Sequence, residues 1–112
     1  MTSNDQVREF ALALPDAYEQ PHFDKPSFRI KKKIFATLWL DEARAVLKLS
    51  LADQSALVQG YPEIFSLCGW EHQGWVSVDL NKIEPEMFKL HLEAAWRQVA
   101  PKKLIQAFDE EK

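Results

Sequence analysis

The 112-residue sequence predicts an α+β fold in which one antiparallel β-sheet, a meander, is covered on one face by N- and C-terminal helices. Three observations carry that prediction. Apolar residues recur at helical spacing near both ends, through Val7, Phe10, Ala11 and Leu14 and again through Phe88, Leu92, Ala95, Trp96 and Val99. Between residues 27 and 50 the pattern switches to alternation, in three runs separated by turns. Those turns are too short for the crossover that parallel strands need.

Residues 3–13 read as a helix. Ser3 followed three residues later by Gln6 is a capping-box pattern, and Asp5 suits the positive end of the helix dipole. Pro15 ends it, because the residue before a proline is pushed out of the α region. Residues 17–26 hold Pro21 and Pro26 and read as extended chain with a short edge strand at Tyr18 and Glu19.

The first strand of the central block puts Phe28 and Ile30 on one face and Ser27 and Arg29 on the other. Lys31, Lys32 and Lys33 form a turn. Strict alternation in the next strand places Ile34, Ala36, Leu38 and Leu40 together, with Phe35, Thr37 and Trp39 opposite. Residues 41–44 turn again, and a third strand follows to Ser50. A helix over 52–59 is capped by Ser50 and stopped by Gly60. Residues 61–65 read as a short turn, and a loop rich in rare residues, 68–74, launches the last strand at about 74–80. Pro85 opens the strongest helix, with Glu84 as a weak cap and Ile83 and Phe88 spaced as a hydrophobic staple. Pro101 breaks it, a short helix follows over 102–108, and the acidic end, 109–111, is expected to fray.

At this length the chain is one domain, 1–112, and 46% hydrophobic residues supply a core sufficient for a stable monomer. A single cysteine excludes an internal disulfide and fits a reducing cytoplasm. Neither a signal peptide nor a bilayer-spanning run is visible, so a soluble cytoplasmic protein without a membrane role is expected. The net charge of −3 argues mildly against nucleic acid, but it is unevenly spread. Residues 25–48 hold seven cations against two carboxylates, a net of +5, between acidic neighbours.

Cys68 with His72, His22 and His91 is a poor metal set, because zinc takes three or four such ligands and these are scattered. The Cys68–His72 pair lacks a third orienting residue, so neither a catalytic nucleophile nor a cofactor is expected. The basic turn is the better candidate. Lys31, Lys32 and Lys33, with Arg29 before them and Lys25 in support, suit the approach to a phosphate backbone; the alternative reading is a solvated turn that protects a sheet edge, a common use of lysine. No alternation of basic and aromatic residues marks a platform for single strands. Trp39, Trp75 and Trp96 read as core or half-buried positions. Trp70 reads either as a contact residue, with Tyr61 and His72 around it, for a protein or small ligand, or as a lid on the sheet edge.

Several segments together resemble the MmcQ/YjbR family of small bacterial proteins. They are residues 11–15, Lys25 to Phe28, Phe35 to Leu40, Gly74 to Val78, and Trp96 to Leu104, which cover nearly the whole chain in order. The resemblance implies a frataxin/CyaY-like α+β fold with a double-wing DNA-binding motif, and no catalytic residues. The expected function is therefore non-enzymatic binding of double-stranded DNA. Two departures stand out: Asp16 takes the place of a usual glycine, and the lysine turn replaces one that contains glycine, making that wing more basic and stiffer.

Overall fold

The computed structural model describes residues 1–69 and 71–111, and only the backbone of Glu71. Helix α1 runs over Asn4–Leu12 and starts with the predicted capping box: the Gln6 amide donates to Ser3 Oγ at 3.1 Å, and the Ser3 amide donates to Gln6 Oε1 at 2.9 Å. Val7 and Ala11 are its buried residues. Just before it, the buried Thr2 donates its amide to the Leu80 carbonyl at 2.8 Å and its hydroxyl to that of Ile83 at 2.9 Å. The start of the chain is thereby tied to the end of its sheet.

The sheet has six strands, β1 (Tyr18–His22), β2 (Lys25–Ile30), β3 (Lys33–Trp39), β4 (Arg44–Lys48), β5 (Phe65–Ser66) and β6 (Trp75–Asp79), in the order β1-β2-β3-β4-β6-β5. All neighbours are antiparallel. The first four make the predicted meander. The edge strand β1 is longer than expected and carries Pro21, while β5, read as a turn, is a two-residue edge beside β6. The β2–β3 turn is only Lys31 and Lys32, and Lys33 already belongs to β3.

Strict alternation fails in β3, and the reason is a β-bulge. Phe28 pairs with Ala36, but Arg29 pairs with Ile34, so Phe35 is an extra residue in the ladder. Phe35 is fully buried with Ala36 and Leu38, while Ile34 moves to the face that carries Thr37 and Trp39. The predicted faces of Ile34 and Phe35 are therefore exchanged.

Helix α2 (Leu51–Gly60) is capped by Ser50, whose hydroxyl accepts from the Asp53 amide at 3.1 Å. Gly60 is its last residue rather than a left-handed stop beyond it. Helix α3 (Pro85–Val99) has no side-chain cap from Glu84, and its staple residues Ile83 and Phe88 are both fully buried. Helix α4 (Lys102–Glu110) runs past the predicted end. Of the acidic end expected to fray, Asp109 and Glu110 are helical, and Arg97 Nη1 donates to Asp109 Oδ2 at 3.1 Å. Helices α1 and α3 lie against the sheet face that carries Phe28, Ala36, Leu38, Ala45, Leu47, Val76 and Val78, and form the core there. Among the described residues no helix is long and apolar enough to cross a membrane.

The groove between α2 and α3 contains His91, packed edge-on against Phe65 with ring centroids 5.5 Å apart. Burial holds its pKa below the ordinary 6.5, and Asp53 opposes the shift. The unfolded chain then binds more protons than the native one as pH falls below about 6.5, so stability is complete above that pH and is lost progressively beneath it. Denaturant midpoints at pH 7.5 and 5.5 should differ more in the native protein than in a His91→Gln variant; an equal difference would assign the pH dependence to other groups.

Candidate nucleic-acid interface

The basic block of the sequence becomes one surface because β2, β3 and β4 are neighbours. Their apolar alternates face the helices, so the strand cations Lys25, Arg29, Arg44 and Lys48 fall on the opposite, open face with Ser27, Thr37, Val46 and Ser77. Lys102 and Lys103 do not extend this surface. They sit on α4 in the helical layer, and Arg97 is paired there with Glu93 and Asp109.

The lysine turn caps one end of the sheet. Lys31 and Lys32 have φ of 48° and 70°, the double left-handed geometry of the two-residue hairpin turn that matches strand twist. Asparagine and glycine are the usual occupants, and for other residues the crowding of Cβ against the following carbonyl oxygen costs roughly 1–2 kcal/mol per residue in that region. The Lys32 amide is held by Tyr18 Oη at 3.1 Å, across the edge strand. Lys31, Lys32 and Lys33 are all exposed, and none forms an ion pair with a described residue.

The predicted set nevertheless divides in two. Arg29 is half-buried and turned back along the sheet, with Nε donating to Ser27 Oγ at 3.0 Å and Nη2 to the Pro21 carbonyl at 3.5 Å. Lys25 stands at the far end of β2, about 20 Å from the turn at the usual rise per strand residue. There its ammonium lies 3.1 Å from Asp24 and 4.3 Å from the centroid of Trp39.

Lys25 belongs to a second feature, a cleft of about 490 Å³ on the open face. Ile34, Thr37 and Val46 line it together with His22, Phe23, Trp39, Gln73 and Trp75. The Arg44 guanidinium lies 4.7 Å from the Trp39 ring and pairs with Glu42, and Lys48 Nζ lies 5.6 Å from the Trp75 ring. Lys48 donates to the Gln73 carbonyl at 2.7 Å and has no ion-pair partner among the described residues. Each indole is held by the residue two positions before it: Trp39 Nε1 donates to Thr37 Oγ1 at 3.2 Å and Trp75 Nε1 to Gln73 Oε1, in the turn before β6, at 3.3 Å. Basic and aromatic groups thus interleave in space although they do not in sequence.

The aromatic-loop candidates are not assembled in the same way. Tyr61 stands at the C-terminal end of α2 beside β5, next to the end of β6, whereas His72 lies on the turn that precedes the start of β6. Trp70 is outside the described residues. Cys68 is half-buried, and among the described residues no three His, Cys, Asp or Glu side chains gather as metal ligands.

A family model described as YjbR matches residues 12–98, which include the whole cleft and the lysine turn. The chain belongs to the YjbR family. The fold has a solved counterpart in the crystal structure of Deinococcus radiodurans protein DR2400, a DUF419 domain, with a TM-score of 0.81 at 22% identity. The match covers 92% of this chain and 82% of that one. At that identity the likeness establishes the six-stranded YjbR architecture and nothing about ligands. No curated protein matches this YjbR chain significantly.

Proposed function

We propose that this YjbR-family chain is a non-enzymatic, cytoplasmic DNA-binding protein that acts as a monomer, with the β2–β3 hairpin as a basic wing laid against the phosphates of duplex DNA. The single observation that carries the reading is the strained turn. Lysine occupies both left-handed positions where glycine or asparagine would be cheaper, and a third lysine follows, all exposed and without an ion-pair partner among the described residues. Unfavourable backbone retained at an exposed charged tip is a reason to look for a ligand there, and three adjacent ammonium groups suit a phosphate backbone. Lys48 stands at the same end of the sheet and continues the positive charge onto the open face.

Salt-titrated fluorescence anisotropy with a mixed-sequence duplex tests this. Each phosphate contact adds about 0.9 to the slope of log K against log salt, so the Lys31/Lys32/Lys33→Ala variant should lose roughly 2–3 from that slope. A Lys31→Asn/Lys32→Gly variant, which relieves the turn, should bind weakly as well while melting no lower than the native protein. Equally poor binding by native and triple-alanine proteins at low salt would end the DNA reading.

A further inference from the structure

Phe23 is hard to explain as part of the fold. Its side chain is 92% exposed, and its φ of 60° lies in the left-handed region, in the two-residue connection between β1 and β2. The position combines a backbone penalty with an apolar ring in water, and a glycine or asparagine would avoid both. The only described ring against Phe23 is that of His22, at 4.7 Å and 63°. Phe23 is one of the residues lining the open-face cleft, at the Lys25 end, and Trp75 lines its other end beside Lys48.

We propose that this cleft binds single-stranded nucleic acid, with unpaired bases stacked on Phe23 at one end and on Trp75 at the other and the adjoining phosphates on Lys48, Lys25 and Arg44. This rests on the DNA reading above and names the form of nucleic acid that reaches the open face. Aromatic faces are offered to a ligand here, and within a duplex each base already has its faces covered by its neighbours. Only an unpaired base presents a face to a protein ring. The charge is complementary. No carboxylate is among the residues lining the cleft, and three cations stand at its rings. Asp24 and Glu42, which pair with Lys25 and Arg44 at the rim, are exposed, and such pairs yield readily to a phosphate. Trp39 is flanked by cations from both neighbouring strands, so it positions Lys25 and Arg44, while Phe23 and Trp75 supply the stacking.

Tryptophan fluorescence and anisotropy should be followed with three probes: a short oligo-dT, a duplex of mixed sequence, and thymidine monophosphate. The oligo-dT should quench tryptophan emission. Phe23→Ala should weaken oligo-dT binding roughly 5- to 150-fold, the range for one stacked base, while leaving duplex affinity and melting temperature unchanged. Trp75→Leu should weaken oligo-dT to a similar degree. Duplex binding that depends on the lysine turn, with oligo-dT binding indifferent to Phe23 and Trp75, would overturn the single-strand site and leave the DNA reading intact. Failure of both nucleic acids at low salt would overturn both. Monophosphate binding as tight as the oligomer would overturn the strand as occupant in favour of a free nucleotide.

Discussion

Gly74→Ala should largely unfold the protein. Gly74 has φ +90°, a region that side-chain-bearing residues rarely adopt, and an ideal Cβ there would lie 1.9 Å from the Leu49 carbonyl oxygen and 3.0 Å from its carbon. Both atoms are backbone, so no rotamer change relieves the overlap. The contact is also where the sheet is closed, since the Leu49 amide donates to the Gly74 carbonyl at 3.0 Å beside the Lys48–Trp75 pair. Separating β4 from β6 here would expose core residues Leu47, Leu49 and Val76. The expected loss exceeds about 4 kcal/mol, a large part of the roughly 5–15 kcal/mol that holds a domain together. Thermal melting by circular dichroism checks it, with Gly60→Ala as the control. A Cβ at Gly60 meets nothing within 4 Å, so that variant should melt at or slightly above the native temperature. A Gly74→Ala protein that melts within a few degrees of native would show that β4 and β6 can part without consequence.

Gly74 also marks the boundary between what can and cannot be read from the chain. Local signals were legible. The Ser3–Gln6 capping box, the Ser50 cap, Pro85 at the start of α3 and the Ile83–Phe88 staple each involve residues within five positions of one another. The adjacency of β2, β3 and β4 followed from turns too short for a parallel crossover. The bulge at Phe35 was not legible, because alternation counts residues and cannot detect that one of them lacks a partner across the ladder. Strand β5 is two residues long, too short for any periodicity.

The site was hidden for a related reason. Lys48 and Trp75 are 27 positions apart and meet only through the β4–β6 register, and Lys25 reaches Trp39 only once β2 lies beside β3. Read along the chain, the lysine run dominates because its charges are consecutive, and the alternating cations of the strands appear diluted by apolar neighbours. Folding puts the lysine turn at one end of the sheet and gathers the strand cations on its open face. Phe23 gave no turn signal either, since His22, Phe23, Asp24 and Lys25 contain no glycine or asparagine to mark a left-handed position. The absence of that signal is itself the physical anomaly, and it becomes visible only when φ is known.

Trp96→Ala should be the most destabilising change in the helical layer, by about 3–5 kcal/mol. Trp96 heads the fully buried side chains by volume, and it joins three parts of the chain. Its position on α3 sets it in the core, its Nε1 donates to the Pro15 carbonyl at 3.0 Å beyond the end of α1, and its ring meets Phe108 of α4 edge-on at 5.1 Å. Truncation therefore leaves a cavity, removes the hydrogen bond that secures the α1–β1 connection, and takes away the ring against which α4 docks. Trp96→Phe separates these effects. It keeps most of the apolar volume and the contact with Phe108 but leaves the Pro15 carbonyl without its donor, at a cost of roughly 1–3 kcal/mol. Melting temperatures should fall in the order native, Trp96→Phe, Trp96→Ala, with the alanine variant lower than native by about 10–25 °C for a domain of this size. A phenylalanine variant as unstable as the alanine one would mean that the hydrogen bond, rather than packing, is what Trp96 contributes. Neither substitution lies on the open face, so a folded Trp96→Phe protein should bind duplex and oligo-dT as the native protein does.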